Sequence, residues 1–116
     1  MFALNFQAPH HEELLLSRAK NCTIRLGDVQ ETYPENSIVW ITFGKKFGPR
    51  KKLYPAIIDR VLIKQYFQLT SEDLAHQNPE IKSVEELISF FEKLYGRTIT
   101  PNDYVSVIYF SEIVEE

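Results

Sequence analysis

Within six residues, Lys20-Asn21-Cys22-Thr23-Ile24-Arg25, the chain places an amine, a hydroxyl and a guanidinium. These are groups that can act as a base, a nucleophile and an anion anchor. A threonine hydroxyl is a weak nucleophile until a neighbouring base takes its proton. Lys20 can be that base if burial, or Arg25 close by, lowers its pKa towards neutrality. Arg25 is then suited to hold a developing oxyanion. A second grouping lies at Gly44-Lys45-Lys46-Phe47-Gly48-Pro49-Arg50-Lys51-Lys52. It interleaves Phe47, and Tyr54 just beyond, with five cations and no acid. That pairing suits contact with backbone phosphates and unstacked bases at once. Each grouping also has a plain reading, a surface strand facing water for the first and a solvated hairpin tip for the second.

Whether the first group can act together depends on the elements that carry it. A helical pattern at residues 12–18 runs into a strand at residues 20–26, so the cluster sits at a helix-to-strand junction. By period two, Asn21, Thr23 and Arg25 share one strand face, and Cys22, Ile24 and Leu26 share the apolar one. Lys20 and Thr23 are three apart and would face opposite sides of a regular strand. A common cleft therefore requires Lys20 to precede the strand proper. Cys22 reads as a small buried filler rather than a reactive thiolate.

The remaining elements frame that junction. Residues 2–6 form a short apolar strand ended by a turn at Pro9. His10 and His11 point apart on a helix and lack a third ligand, so no metal site is expected. A loop carrying Gly27-Asp28 and Tyr33-Pro34-Glu35-Asn36 leads to a strand at 37–43, with Val39, Ile41 and Phe43 on one face and Trp40, read as packed under a helix, on the other. The next strand is expected from near Leu53, with a bulge at Asp59-Arg60 where the alternation fails. Thr70 or Ser71 caps a short acidic helix that stops near Asn78-Pro79. Ser83-Val84-Glu85-Glu86 reads as a capping box, Leu87, Ile88, Phe91 and Leu94 recur at helical spacing, and Gly96 ends that helix. A last strand covers residues 104–110. The order β-α-β-β-β-α-α-β predicts one α+β domain over residues 1–116, a small barrel-like sheet with flanking helices, in which Cys22, Ile24, Val39, Ile41, Val105 and Val107 point inward.

Composition narrows the setting. The chain is 44% hydrophobic and 25% charged, the balance of a globular domain rather than a disordered one. A single cysteine rules out an internal disulfide and a thiolate zinc cluster, which suits a reducing cytoplasm. No signal-peptide pattern and no apolar run near membrane-span length is present, so a cytoplasmic protein with no membrane partner is expected. The formal charge of −3 hides a division: residues 17–66 carry +6 and residues 67–116 carry −7. A basic face can attract a phosphate-bearing ligand despite the negative total.

The order of elements, the junction Leu-Leu-Leu-Ser-Arg-Ala-Lys20-Asn-Cys-Thr23-Ile-Arg25, the helix at 84–95 and the closing strand Tyr104-Val-Ser-Val-Ile-Tyr-Phe110 resemble the ASCH domain, a PUA-like β-barrel associated with RNA. The resemblance spans nearly the whole chain. It looks closest to the small ASCH amidohydrolases that deacetylate N(4)-acetylcytidine. Lys20, Thr23 and Arg25 match that family's motif in spacing, and counting back without a gap from Glu85-Glu86-Leu87 places its acid on Glu80. The resemblance thus implies Lys20, Thr23 and Glu80 as a catalytic group, Arg25 as a substrate-binding residue, and no cofactor. Glu80 would orient Lys20 or pass a proton to the leaving amine. RNA or a modified nucleoside is the expected partner, with Lys45, Lys46, Phe47, Arg50, Lys51 and Lys52 as the nucleic-acid contacts and a monomer as the expected state. Two alternatives stand beside the hydrolase: a non-catalytic RNA-binding module using the hairpin at 45–52, and a protein-interaction domain using the acidic helices.

Overall fold

A computed structural model describes residues 2–8, 11–45, 48–78 and 80–114. In chain order the elements are β1 (Phe2–Phe6), α1 (His11–Leu16), β2 (Cys22–Leu26), β3 (Ile38–Gly44), β4 (Arg50–Gln65), a single 3-10 turn (Tyr66–Gln68), α2 (Ser71–Gln77), α3 (Val84–Tyr95) and β5 (Tyr104–Glu112). The five strands make one sheet in the order β1-β3-β4-β5-β2, with β1 parallel to β3 and every other pair antiparallel.

β4 explains how the sheet curls. Its first part pairs with β3, from Gly44 opposite Arg50 to Ile38 opposite Ile57, and its second part pairs with β5. Within the β5 pairing the register shifts at Ile58/Arg60, at the dipeptide where the apolar alternation breaks in sequence. A bulge there raises the local twist and bends the strand. Glu35 accepts the Val61 N–H at 3.0 Å beside it. The sheet closes to a half-barrel with three helices.

Two apolar clusters result, one on each face. Leu4, Phe6, Val39, Ile41, Tyr54, Ala56, Ile58, Ile108 and Phe110 fill the curl, joined by Leu15 of α1. Cys22, Ile24, Val105 and Val107 pack on the other face, against Leu74 of α2 and Leu87 and Phe91 of α3. All six residues expected inward are buried, but four of them face the helices rather than the barrel interior. In β5 the alternation puts Val105 and Val107 on one face and Ile108 and Phe110 on the other, and both faces are covered. Period two cannot tell which of two buried faces lies inside.

The helices end as their caps dictate. Thr70 Oγ1 accepts the Asp73 N–H while Asp73 accepts the Thr70 N–H, a reciprocal capping box for α2. For α3, Ser83 accepts from Glu86, whose carboxylate takes the N–H of Lys82 rather than that of Ser83. Gly96 closes α3 at φ 65°, a left-handed position that a side chain would strain. Two expectations change. Arg50, Lys51 and Lys52 already belong to β4, because their backbones pair with Gly44, Phe43 and Thr42. Trp40 is half-buried with Lys52 Nζ 4.8 Å from its ring centroid, and it belongs to neither apolar cluster.

Candidate binding site at the seam of the half-barrel

β1 and β2 are the free edges of the sheet, and unpaired strand edges must find partners. Side chains supply them. Arg25 Nη2 donates to the Asn5 carbonyl at 2.9 Å, tying β2 to β1 across the seam. On the β2 edge, the Cys22 carbonyl accepts from Lys20 Nζ and the Ile24 N–H donates to Gln77 Oε1.

Lys20 reaches this position because the chain reverses sharply after α1. Arg18 adopts φ 66°, and the Lys20 N–H donates back to the Leu14 carbonyl at 3.0 Å, so Lys20 precedes β2 as a common site with Thr23 requires. The side chain is 1% exposed. Its Nζ donates to the Cys22 carbonyl (2.7 Å), the Gln77 carbonyl (2.5 Å) and Gln77 Oε1 (2.8 Å), three acceptors for the three protons of an ammonium. Burial pushes the amine down to about 7, with Arg25 acting in the same sense and Cys22 against it. Burial drives the Cys22 thiol up to about 12, which keeps it a neutral filler.

A cavity of about 480 Å³ opens at the seam, between the end of β1, β2, Gln77 and α3. Thr23 and Arg25 line its polar side, and Phe6, Phe90, Phe91, Leu94 and Tyr95 line its apolar side. Arg25 Nε donates to Thr23 Oγ1 at 3.2 Å, which leaves the hydroxyl proton for another acceptor. The guanidinium lies 5.2 Å from the Phe6 ring centroid, and so does Lys20 Nζ. Burial lowers the Arg25 pKa from its ordinary value. Gln77 Oε1 takes donors from Lys20 and Ile24 together, so the amide orientation is fixed and its NH₂ is what Gln77 has left for the cavity.

Of the expected group, Thr23 and Arg25 share the cavity. Lys20 borders a smaller one of about 200 Å³ with Arg18, Tyr54 and Glu112, and meets the larger through Gln77. Glu80 stands exposed on the turn after α2, its N–H donating to Asn78 Oδ1, and it does not line either cavity. The side chain that engages Lys20 is Gln77, three residues earlier. Counting back without a gap from α3 overlooks it; its signal was its place one turn after Asp73, on the buried face of a short helix. In the basic hairpin, Lys45 and Arg50 are exposed, Lys51 pairs with Glu12 at 2.9 Å, and Lys46 and Phe47 lie outside the described residues. Among the described residues no three His, Cys, Asp or Glu side chains are placed to hold a metal ion, and no helix is long and apolar enough to cross a membrane.

No family model matches this sequence, and a search of curated proteins finds no match. Solved structures do match. Protein EF3133 from Enterococcus faecalis V583, of the family DUF984, superposes with a TM-score of 0.71 at 13% identity, over 97% of this chain and 81% of that one. The ASCH domain from Lactobacillus crispatus JV V101 gives 0.66 at 17% identity, over 95% and 77%. Hypothetical protein PH0355 gives 0.65 at 16% identity, over 95% and 100%. With the strand order and the seam as described, this chain has the fold of the ASCH domain, a PUA-like α+β half-barrel.

Proposed function

We propose that this domain binds a nucleobase-containing ligand, a modified nucleoside or an RNA base, in the seam cavity. The observation that carries this reading is the cavity's division into an aromatic wall and a wall of hydrogen-bond donors at Thr23, Arg25 and Gln77. Aromatic faces stack bases whatever their sequence, while fixed donors select an edge. The volume of about 480 Å³ lies in the range of small-molecule sites. Cations of the hairpin, Lys45, Arg50, Lys51 and Lys52, would hold flanking phosphates where the ligand is part of an RNA. Titrating the protein with nucleosides and short single-stranded RNA tests the reading. Binding that fails in Thr23→Val with the fold intact supports it, and absence of binding by wild type overturns it.

A second reading, hydrolysis of the amide of N(4)-acetylcytidine, draws on the Lys20 amine held near neutrality two residues before the strand that carries Thr23. Lys20 as base and Thr23 as nucleophile would act in the neutral-amine state, with Arg25 receiving the oxyanion. Glu80, the third expected member, lines neither cavity. Cytidine released from N(4)-acetylcytidine by wild type, and not by Lys20→Ala or Thr23→Ala, would establish this chemistry; equal release by wild type and Glu80→Ala would exclude the third member.

A further inference from the structure

Among the described residues, the two cations at the seam lack carboxylate partners. Among the described residues, the ion pairs join Arg18 to Glu112, Lys51 to Glu12, Lys64 to Asp73 and His76 to Glu72, and neither Lys20 nor Arg25 takes part. Arg25 has only neutral acceptors, the Asn5 carbonyl and Thr23 Oγ1. These use two of its five N–H groups. Lys20 has only neutral acceptors too, and both cations sit 5.2 Å from the same Phe6 ring. Buried charges are ordinarily paired, because desolvation without a counter-charge is costly. The cavity that Arg25 lines gives the matching negative charge a place to enter.

We infer that the seam cavity takes an anionic ligand, an oxyanion carried on a flat ring, with Arg25 as its charge anchor and the Gln77 amide and Thr23 hydroxyl as neutral donors beside it. This rests on the proposed function for the ring and goes beyond it for the charge. All three groups donate, so an acceptor-only group such as phosphate or carboxylate satisfies them together, whereas a ligand edge bearing N–H groups leaves donors facing donors. The ring lies against Phe90, Phe91 and Tyr95. A nucleoside monophosphate and an aromatic carboxylate share this chemistry.

Calorimetric titration of the whole chain with cytidine, uridine, their 5′-monophosphates, benzoate and inorganic phosphate separates the possibilities. Each monophosphate is expected to bind about tenfold or more tighter than its nucleoside, the size of one charge-assisted contact. That preference should shrink with added salt and disappear in Arg25→Gln. Arg25→Lys, which keeps the charge, should retain part of it, and this guards against Arg25→Gln failing for loss of the β1 tie alone. Nucleosides binding as tightly as their monophosphates would overturn the anion while leaving the nucleobase reading in place. Benzoate binding with no nucleoside or nucleotide binding would support the anion and overturn the nucleobase. Binding by none of the six overturns both.

Discussion

The seam and the hairpin both collect cations, but they hold them in opposite ways. At the seam, Lys20 and Arg25 are held by fixed backbone and amide acceptors, and burial lowers both pKa values. In the hairpin, Lys45, Arg50, Lys51 and Lys52 are exposed; Lys51 pairs with a carboxylate at the surface and Lys52 lies over the face of Trp40. A buried cation acts at short range, where geometry decides what it binds and where its own protonation becomes a matter of fold stability. A solvated cation acts at Debye range, adds little to stability and responds to salt. On the proposed function, recognition of a small group falls to the seam, and attraction of a polyanion falls to the hairpin.

The largest test of this contrast is Lys20→Met. The substitution keeps the stem's volume but leaves the Cys22 carbonyl, the Gln77 carbonyl and Gln77 Oε1 without their donor, a cost of about 3 kcal/mol in denaturant unfolding. A loss under about 1 kcal/mol would mean that Lys20 is no better placed than a surface lysine. The same variant isolates a pH effect. The folded state releases the Lys20 proton near 7, the unfolded state near the ordinary 10.5. Between these values the unfolded chain binds one more proton, so stability rises with pH across that window; below 7 both states hold the proton and this contribution is flat. The difference in unfolding free energy between wild type and Lys20→Met should accordingly widen from pH 7 upward. A gap that narrows there would contradict the lowered pKa.

The sequence disclosed the hairpin and the order of elements better than it disclosed the seam. Local signals suffice for caps, for Gly96 and for the Asp59-Arg60 bulge, because each arises within a few residues. The basic run is legible for the same reason. Gln77 is not, since its importance comes from meeting Lys20 57 residues away in sequence, and its place one turn after Asp73 marks a buried position without naming that partner. The assignment of buried faces failed similarly. Val39 and Val105 both sit in alternating apolar strands, and only the packing of α2 and α3 decides that one faces the curl and the other the helices.

Gln77→Glu sharpens the comparison at the next level. A carboxylate in place of Oε1, 2.8 Å from Lys20 Nζ, would pair the amine and raise its pKa well above 7, moving the onset of the stability window upward. It would also put negative charge where the cavity now offers an amide donor, lowering affinity for an oxyanion ligand about tenfold or more. Both outcomes are accessible by NMR titration, one at the Lys20 side chain and one at the ligand. An unchanged Lys20 titration would show that Gln77 does not govern its environment.

The hairpin should respond least in stability. The Lys51 to Glu12 pair is exposed to 66% and 28% at its two side chains, and pairs of that kind contribute up to about 0.5 kcal/mol. Replacing Lys45, Lys46, Arg50, Lys51 and Lys52 with Ser is therefore expected to change unfolding free energy by under about 1 kcal/mol, since Arg50 and Lys52 also face water. Affinity for single-stranded RNA should nonetheless fall, and the slope of log affinity against log salt should flatten by about 0.7 for each phosphate no longer neutralised. Binding of a mononucleotide at the seam should hold, because Arg25 and Gln77 are untouched. Loss of seam binding in the same variant would mean that the two regions share one ligand-binding surface, and an unchanged salt slope would leave the hairpin as a solvated turn.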